Sequence, residues 1–99
     1  FMKILAISKE PQPVEWELYE ELLRKEAQTL HQLYLAGSVR EFYFTSGGDA
    51  VLILESVSEE EALKILQKLP LADRGLITFD VTELAPYTGF SRLMPKGRE

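Results

Sequence analysis

Cysteine is absent from the 99 residues, which excludes disulfides, thiolate nucleophiles, iron–sulfur clusters and the common structural zinc sites. Asparagine is absent too, so there is no N-glycosylation acceptor, and a heat-adapted source is weakly indicated. Long apolar runs are lacking: none approaches the roughly 20 residues a helix needs to cross a bilayer. No basic segment followed by an apolar one opens the chain; Phe1 ahead of Met2 reads as extraneous, Met2-Lys3 as the start, and cytoplasm as the expected compartment. Positive charge is scarce, with 11 basic residues against 16 acidic, a net charge of −5, and no basic stripe. A phosphate backbone would be repelled, so neither nucleic acid nor membrane is an expected partner.

What is present fits one domain spanning residues 1–99, at 45% hydrophobic and 27% charged an ordinary globular composition. Met2 to Ser8 is a short apolar run that ends at the Lys9-to-Pro13 breaker and reads as a buried strand. From Pro13 to about Ala36 the period changes. Trp16, Tyr19, Leu23, Ala27, Leu30 and Tyr34 recur every three or four positions, which predicts a long amphipathic helix stopped by Gly37, with its aromatics in the core. Val39–Thr45 and Ala50–Val57 are strand-like runs around Ser46-Gly47-Gly48-Asp49, a hairpin turn and not a phosphate cradle, because no helix follows it. Ser58 to Glu61 matches a capping box; its acids suit a helix N-terminus better than a metal. A second helix follows as far as Pro70. Leu76–Leu84 sets Ile77, Phe79 and Val81 on one side and Thr78, Asp80 and Thr82 on the other, a half-buried strand.

The order β-α-β-β-α-β is the α+β, ferredoxin-like plan, a four-stranded antiparallel sheet with both helices on one face. The other face is left bare. It is expected to carry Glu41, Tyr43, Thr45, Thr78 and Asp80 beside Leu5 and Leu52, too apolar in places for water and too polar for a monomer's core. A second copy packing sheet on sheet resolves this and predicts a homodimer.

Several segments together resemble the muconolactone Δ-isomerase-like group of the dimeric α+β barrels. They are the strand-helix opening, the Gly47-Gly48 hairpin into Ala50-Val51-Leu52-Ile53-Leu54, the acidic-capped helix ending in Leu69-Pro70-Leu71, and Val81-Thr82-Glu83-Leu84-Ala85 closing the last strand. The likeness covers about ninety residues, and the Leu69-Pro70-Leu71 and Val81-to-Ala85 pair is its most specific part. It implies a homodimer or larger homo-oligomer, a cofactor-independent site between sheet and helices for a small-molecule ligand, and C-terminal segments that reach over a neighbouring subunit. Leu84, Pro86, Tyr87 and Phe90, apolar where a frayed terminus is expected, fit such an arm, whereas the tail from Met94 to Glu99 is polar and adds little. The chain departs from the isomerases where Glu83 replaces a Pro and Tyr87-Thr88 replaces a His-Pro pair.

The chemistry that the resemblance implies is proton abstraction beside a carbonyl and reprotonation, on a small lactone or oxygenated organic acid. It asks for a base poised near neutral pH and a group that stabilises an enolate. His31, the only histidine, Glu83 and Tyr87 are the catalytic candidates; Tyr43, Asp80 and Phe90 are candidates to bind the ligand. Each has a plainer reading. His31 suits a solvated helix edge, Glu83 and Asp80 suit wet strand positions paired with Arg74 or Arg92, and the tyrosines suit packing. The alternative to an isomerase is a non-catalytic oligomeric module that binds a small ligand through the same pocket. No cofactor or metal is expected in either case.

Overall fold

The structure, a computed structural model, describes residues 1–95; the polar end of the tail, 96–99, lies outside the described residues. Strand β1 (Met2–Lys9) turns Ile4, Ala6 and Ser8 to one face and Lys3, Leu5 and Ile7 to the other, as the two-residue strand period requires. The helix predicted from Pro13 starts later: α1 covers Glu20–Leu35, after a single 3-10 turn at Trp16–Tyr19. Glu15 (φ −85°, ψ 86°) and Tyr19 (φ −121°, ψ 28°) depart from helical dihedrals. The indole N–H of Trp16 also donates to Glu10 Oε1 at 2.7 Å, which fastens residues 10–16 as a loop.

That break changes the phase of α1. Its packed side carries Leu22, Glu26, Leu30 and Leu33, while Leu23 and Tyr34 stand further out. The packed stripe is thus displaced by about one residue, or 100°, from the one predicted, because Trp16 and Tyr19 precede the helix and cannot set its phase. Both remain half-buried, and Trp16 packs on the core, but Tyr34 is an exposed residue set edge-on to Phe42 at 5.2 Å.

Strands β2 (Val39–Phe44) and β3 (Ala50–Ser56) form the expected hairpin. Thr45 N–H donates to Asp49 O at 2.8 Å and Gly48 N–H to Thr45 O at 2.9 Å, with Gly48 at φ +91°, where a side chain would be strained. Helix α2 (Glu59–Leu66) is capped by Ser58, whose Oγ accepts from Glu61 N–H at 3.0 Å. Only that half of the capping box forms, since the Glu61 carboxylate turns to Lys64 Nζ at 3.3 Å. Pro70 ends one helix by starting another: it is the first residue of the short α3 (Pro70–Asp73), where its missing N–H is harmless. Strand β4 (Thr78–Leu84) completes an antiparallel sheet ordered β2-β3-β1-β4, the ferredoxin-like arrangement.

The core lies between the helices and one face of the sheet, where Ile4, Ala6, Val39, Leu52 and Leu54 meet Ala62, Leu66 and Leu69. The opposite face carries Leu5, Ile7, Val51 and Ile53 as a half-exposed aliphatic patch, rimmed by Lys3, Glu41, Tyr43, Glu55, Asp80 and Thr82. Leu52, expected there, is buried on the helix side: it pairs with Ala6 in register, so Val51 and Ile53 take its place. Beyond β4, residues 85–94 form an arm with one 3-10 turn (Gly89–Leu93), and Tyr87 (74% exposed) and Phe90 (70%) find little cover. The molecule measures 63 × 27 × 20 Å with a radius of gyration of 17.0 Å. A compact chain of this length has about 13 Å. Among the described residues no helix is long and apolar enough to cross a membrane.

Candidate functional site

The site forms where three local features converge. At the end of β1 the inward position falls on Ser8, which is buried without being apolar; the hairpin sets Phe44, Asp49 and Ala50 beside it; and the Glu10–Trp16 tether folds the following loop over the first half of α1. Between them is a cavity of about 370 Å³, lined by Ala27, Leu30, Leu71 and Ile77 and by the aromatic residues Trp16 and Phe44. Three acidic residues, Glu10, Glu26 and Asp49, are among those that line it, and no basic residue is.

Two of its polar groups are held in place. Ser8, 6% exposed, accepts from Ala50 N–H at 2.8 Å, and its own hydroxyl proton has no acceptor among the described residues. Glu26 occupies a core-facing position of α1 and accepts from Leu71 N–H at 2.9 Å. The donor exists because Leu71 is the second residue of α3, so its N–H has no partner within that helix. Burial pushes the Glu26 carboxyl up from the usual carboxylate range, and the Leu71 hydrogen bond opposes the shift only in part. A carboxyl so placed can take and return a proton nearer neutral pH than a surface glutamate can.

The residues singled out in the sequence lie elsewhere. His31 is exposed on α1, and Glu83 is exposed on β4, in register with Ile4. Tyr87 and Phe90 sit together on the arm, edge to face at 5.1 Å. Tyr43 is on the open face of the sheet, where its hydroxyl donates to Glu41 Oε1 at 2.8 Å and is pushed up in pKa by that bond. Asp80, on the same face, pairs with Lys9, whose ammonium is held above its ordinary pKa by the contact. Arg74 and Arg92 make no ion pair with Glu83 or Asp80. Within one chain the structure brings together Tyr87 with Phe90, but no hydrogen bond among the described residues joins His31, Glu83 and Tyr87. None of the six candidates lines the cavity.

Neither a family model nor a curated protein sequence matches the chain. Solved structures do. A muconolactone isomerase superposes with a TM-score of 0.72 at 19% identity, over 88% of this chain and 92% of that one. A 5-chloro-2-hydroxyhydroquinone dehydrochlorinase from Burkholderia phenoliruptrix, in complex with 2,5-dihydroxybenzoquinone, superposes at 0.67 with 15% identity, over 87% and 97%. The chain has a muconolactone isomerase-like fold.

On this fold the cavity lies between α1 and the sheet, and its lining residues are not the candidates read from the sequence. Sequence reasoning missed Ser8, Glu10, Glu26, Phe44 and Asp49, and took Trp16 as core alone. One signal for Glu26 was available: it stands three residues after Leu23 and four before Leu30, an acid at a position neighbouring the apolar stripe. No such signal marked Ser8 or Phe44, whose roles depend on the register between β1 and the hairpin.

Proposed function

We propose that the protein is a cofactor-free acid–base catalyst of the cytoplasm, acting on a small oxygenated ring compound such as a lactone, with Glu26 as the group that moves the proton. The observation that carries the reading is a half-buried carboxylate with a raised pKa, fixed by the Leu71 N–H at the wall of a largely apolar cavity. In this reading the Ser8 hydroxyl donates to the substrate's carbonyl oxygen, Glu26 takes the proton from the adjacent carbon, and the same carboxyl returns it at the new position. The likeness to muconolactone isomerase and to a dehydrochlorinase supports a small-molecule-processing role for the fold. The working unit in this reading is a homodimer joined through the aliphatic face of the sheet, with the arm laid on the neighbouring subunit. There Tyr87 and Phe90 of the arm can meet groups of the other chain.

The test is deuterium uptake from heavy water beside the carbonyl of a panel of unsaturated lactones, followed by NMR. Glu26→Gln keeps the acceptor for Leu71 but cannot move a proton, and should lower the exchange rate by about 10²-fold or more. Equal exchange by a folded Glu26→Gln protein removes Glu26 from the mechanism. The second reading, a ligand-binding module without turnover, rests on the same cavity, which is largely apolar and could hold a small molecule without acting on it. Saturable binding with no exchange for any lactone would select it.

A further inference from the structure

The charge on the cavity wall is of one sign. Glu10, Glu26 and Asp49 line it with no Lys, Arg or His among its other residues, and the chain as a whole carries −5. The three acids are spread round the space and do not gather as a metal-binding group among the described residues. The nearest cations are committed or turned away. Lys9, close enough to Asp49 to feel its charge, is paired with Asp80 on the other face of the sheet, and Lys25 and Arg74 line a separate groove at the start of α1. An anion entering this cavity would meet acidic residues and no basic one in its lining, which disfavours it relative to a cation.

The same lining holds two aromatic residues. Trp16 is held by its 2.7 Å bond to Glu10, so ring and carboxylate lie together; Phe44 also lines the cavity and is 80% exposed. Aromatic rings beside carboxylates form a favourable setting for an organic cation, since the ring quadrupole and the acids both attract positive charge. At depth the buried Ser8 hydroxyl still has a proton to give to a neutral oxygen.

We propose that the cavity selects its ligand by charge, taking a compact apolar molecule that carries a protonated amine, its nitrogen among Trp16, Phe44, Glu10 and Asp49, and refusing carboxylates. The inference rests on the cavity being the functional site, and it narrows the substrate class from oxygenated acids and lactones to amine-bearing compounds with an oxygen for Ser8.

Three ligands of nearly equal shape test it: benzylamine, benzyl alcohol and benzoate, titrated into the whole protein at pH 7 and followed by the NMR signals of the Trp16 indole N–H and the Ala50 and Leu71 amides. The amine should bind at least about tenfold more tightly than benzoate, with the alcohol between them. Glu10→Gln combined with Asp49→Asn, which keeps the Trp16 acceptor and the hairpin's backbone bonds, should reduce the amine's advantage over the alcohol to less than about threefold. Benzoate binding as tightly as the amine, or an amine no tighter than the alcohol, would overturn the charge selection while leaving the cavity as the site. If none of the three moves these signals, the site assignment and the inference fall together.

Discussion

Glu26 is the residue on which the proposed chemistry turns, and its environment makes a prediction about stability independent of any substrate. In the unfolded chain its carboxyl ionises in the ordinary range; in the folded chain burial holds the proton to higher pH. Between the two pKa values the folded state binds more protons, so stability falls as pH rises through that window, and the loss is complete above the folded pKa. Glu26→Gln removes the titration and keeps an oxygen for Leu71 N–H. Its urea midpoint, followed from about pH 4 to pH 8, should lose this downward contribution and equal or exceed the parent's at the upper end. Glu26→Ala is the opposite case. It leaves the Leu71 N–H without its acceptor, with an expected loss of about 1–3 kcal/mol in the same assay.

Among the elements, α2 gives the cleanest check. Ser58 Oγ satisfies the Glu61 N–H, and the reciprocal bond from Glu61 is not made, so the helix start rests on a single side chain. Ser58→Ala should lower stability by about 1 kcal/mol, read from chemical denaturation. The cap and the hairpin were legible in the sequence because each is written in consecutive residues: Ser58 to Glu61, and Ser46 to Asp49 with Gly48 at positive φ. The succession of strands and main helices and the alternation of β4 were legible for the same local reason. The phase of α1 was not, because it depends on where the helix begins. That is decided by Trp16 reaching back six residues to Glu10, a contact no period reveals. The site went unread with it. Glu26 meets Leu71 across 45 residues and Ser8 meets Ala50 across 42, so both depend on how separate elements dock. The Leu69-Pro70-Leu71 signature, noticed only as a family resemblance, proves to have a physical use: Pro70 starts α3 so that the Leu71 N–H is free for Glu26.

At the scale of the whole molecule, the sheet is covered on one side only. On the other, Leu5, Ile7, Val51 and Ile53 sit side by side on the two central strands, half-exposed, inside a polar and charged rim. An aliphatic centre with a wet border is the anatomy of a protein–protein interface, and a second copy presents the same patch about a twofold axis. The arm points to the same conclusion, since Tyr87 and Phe90 cover each other but little else, and a molecule 63 Å long for 99 residues has surface left to bury. The expected wild-type species in sedimentation velocity at tens of micromolar is therefore a dimer or larger. Ile53→Lys places a charge at the centre of the patch without entering the core, because the neighbouring Leu52 and Leu54 are the residues that face the helices. It should sediment as a monomer with the circular dichroism of the parent, since an unpaired buried charge in the interface is strongly unfavourable. A wild-type chain that runs as a lone, stable monomer would show that this face tolerates water, and the arm would then have no second subunit to meet.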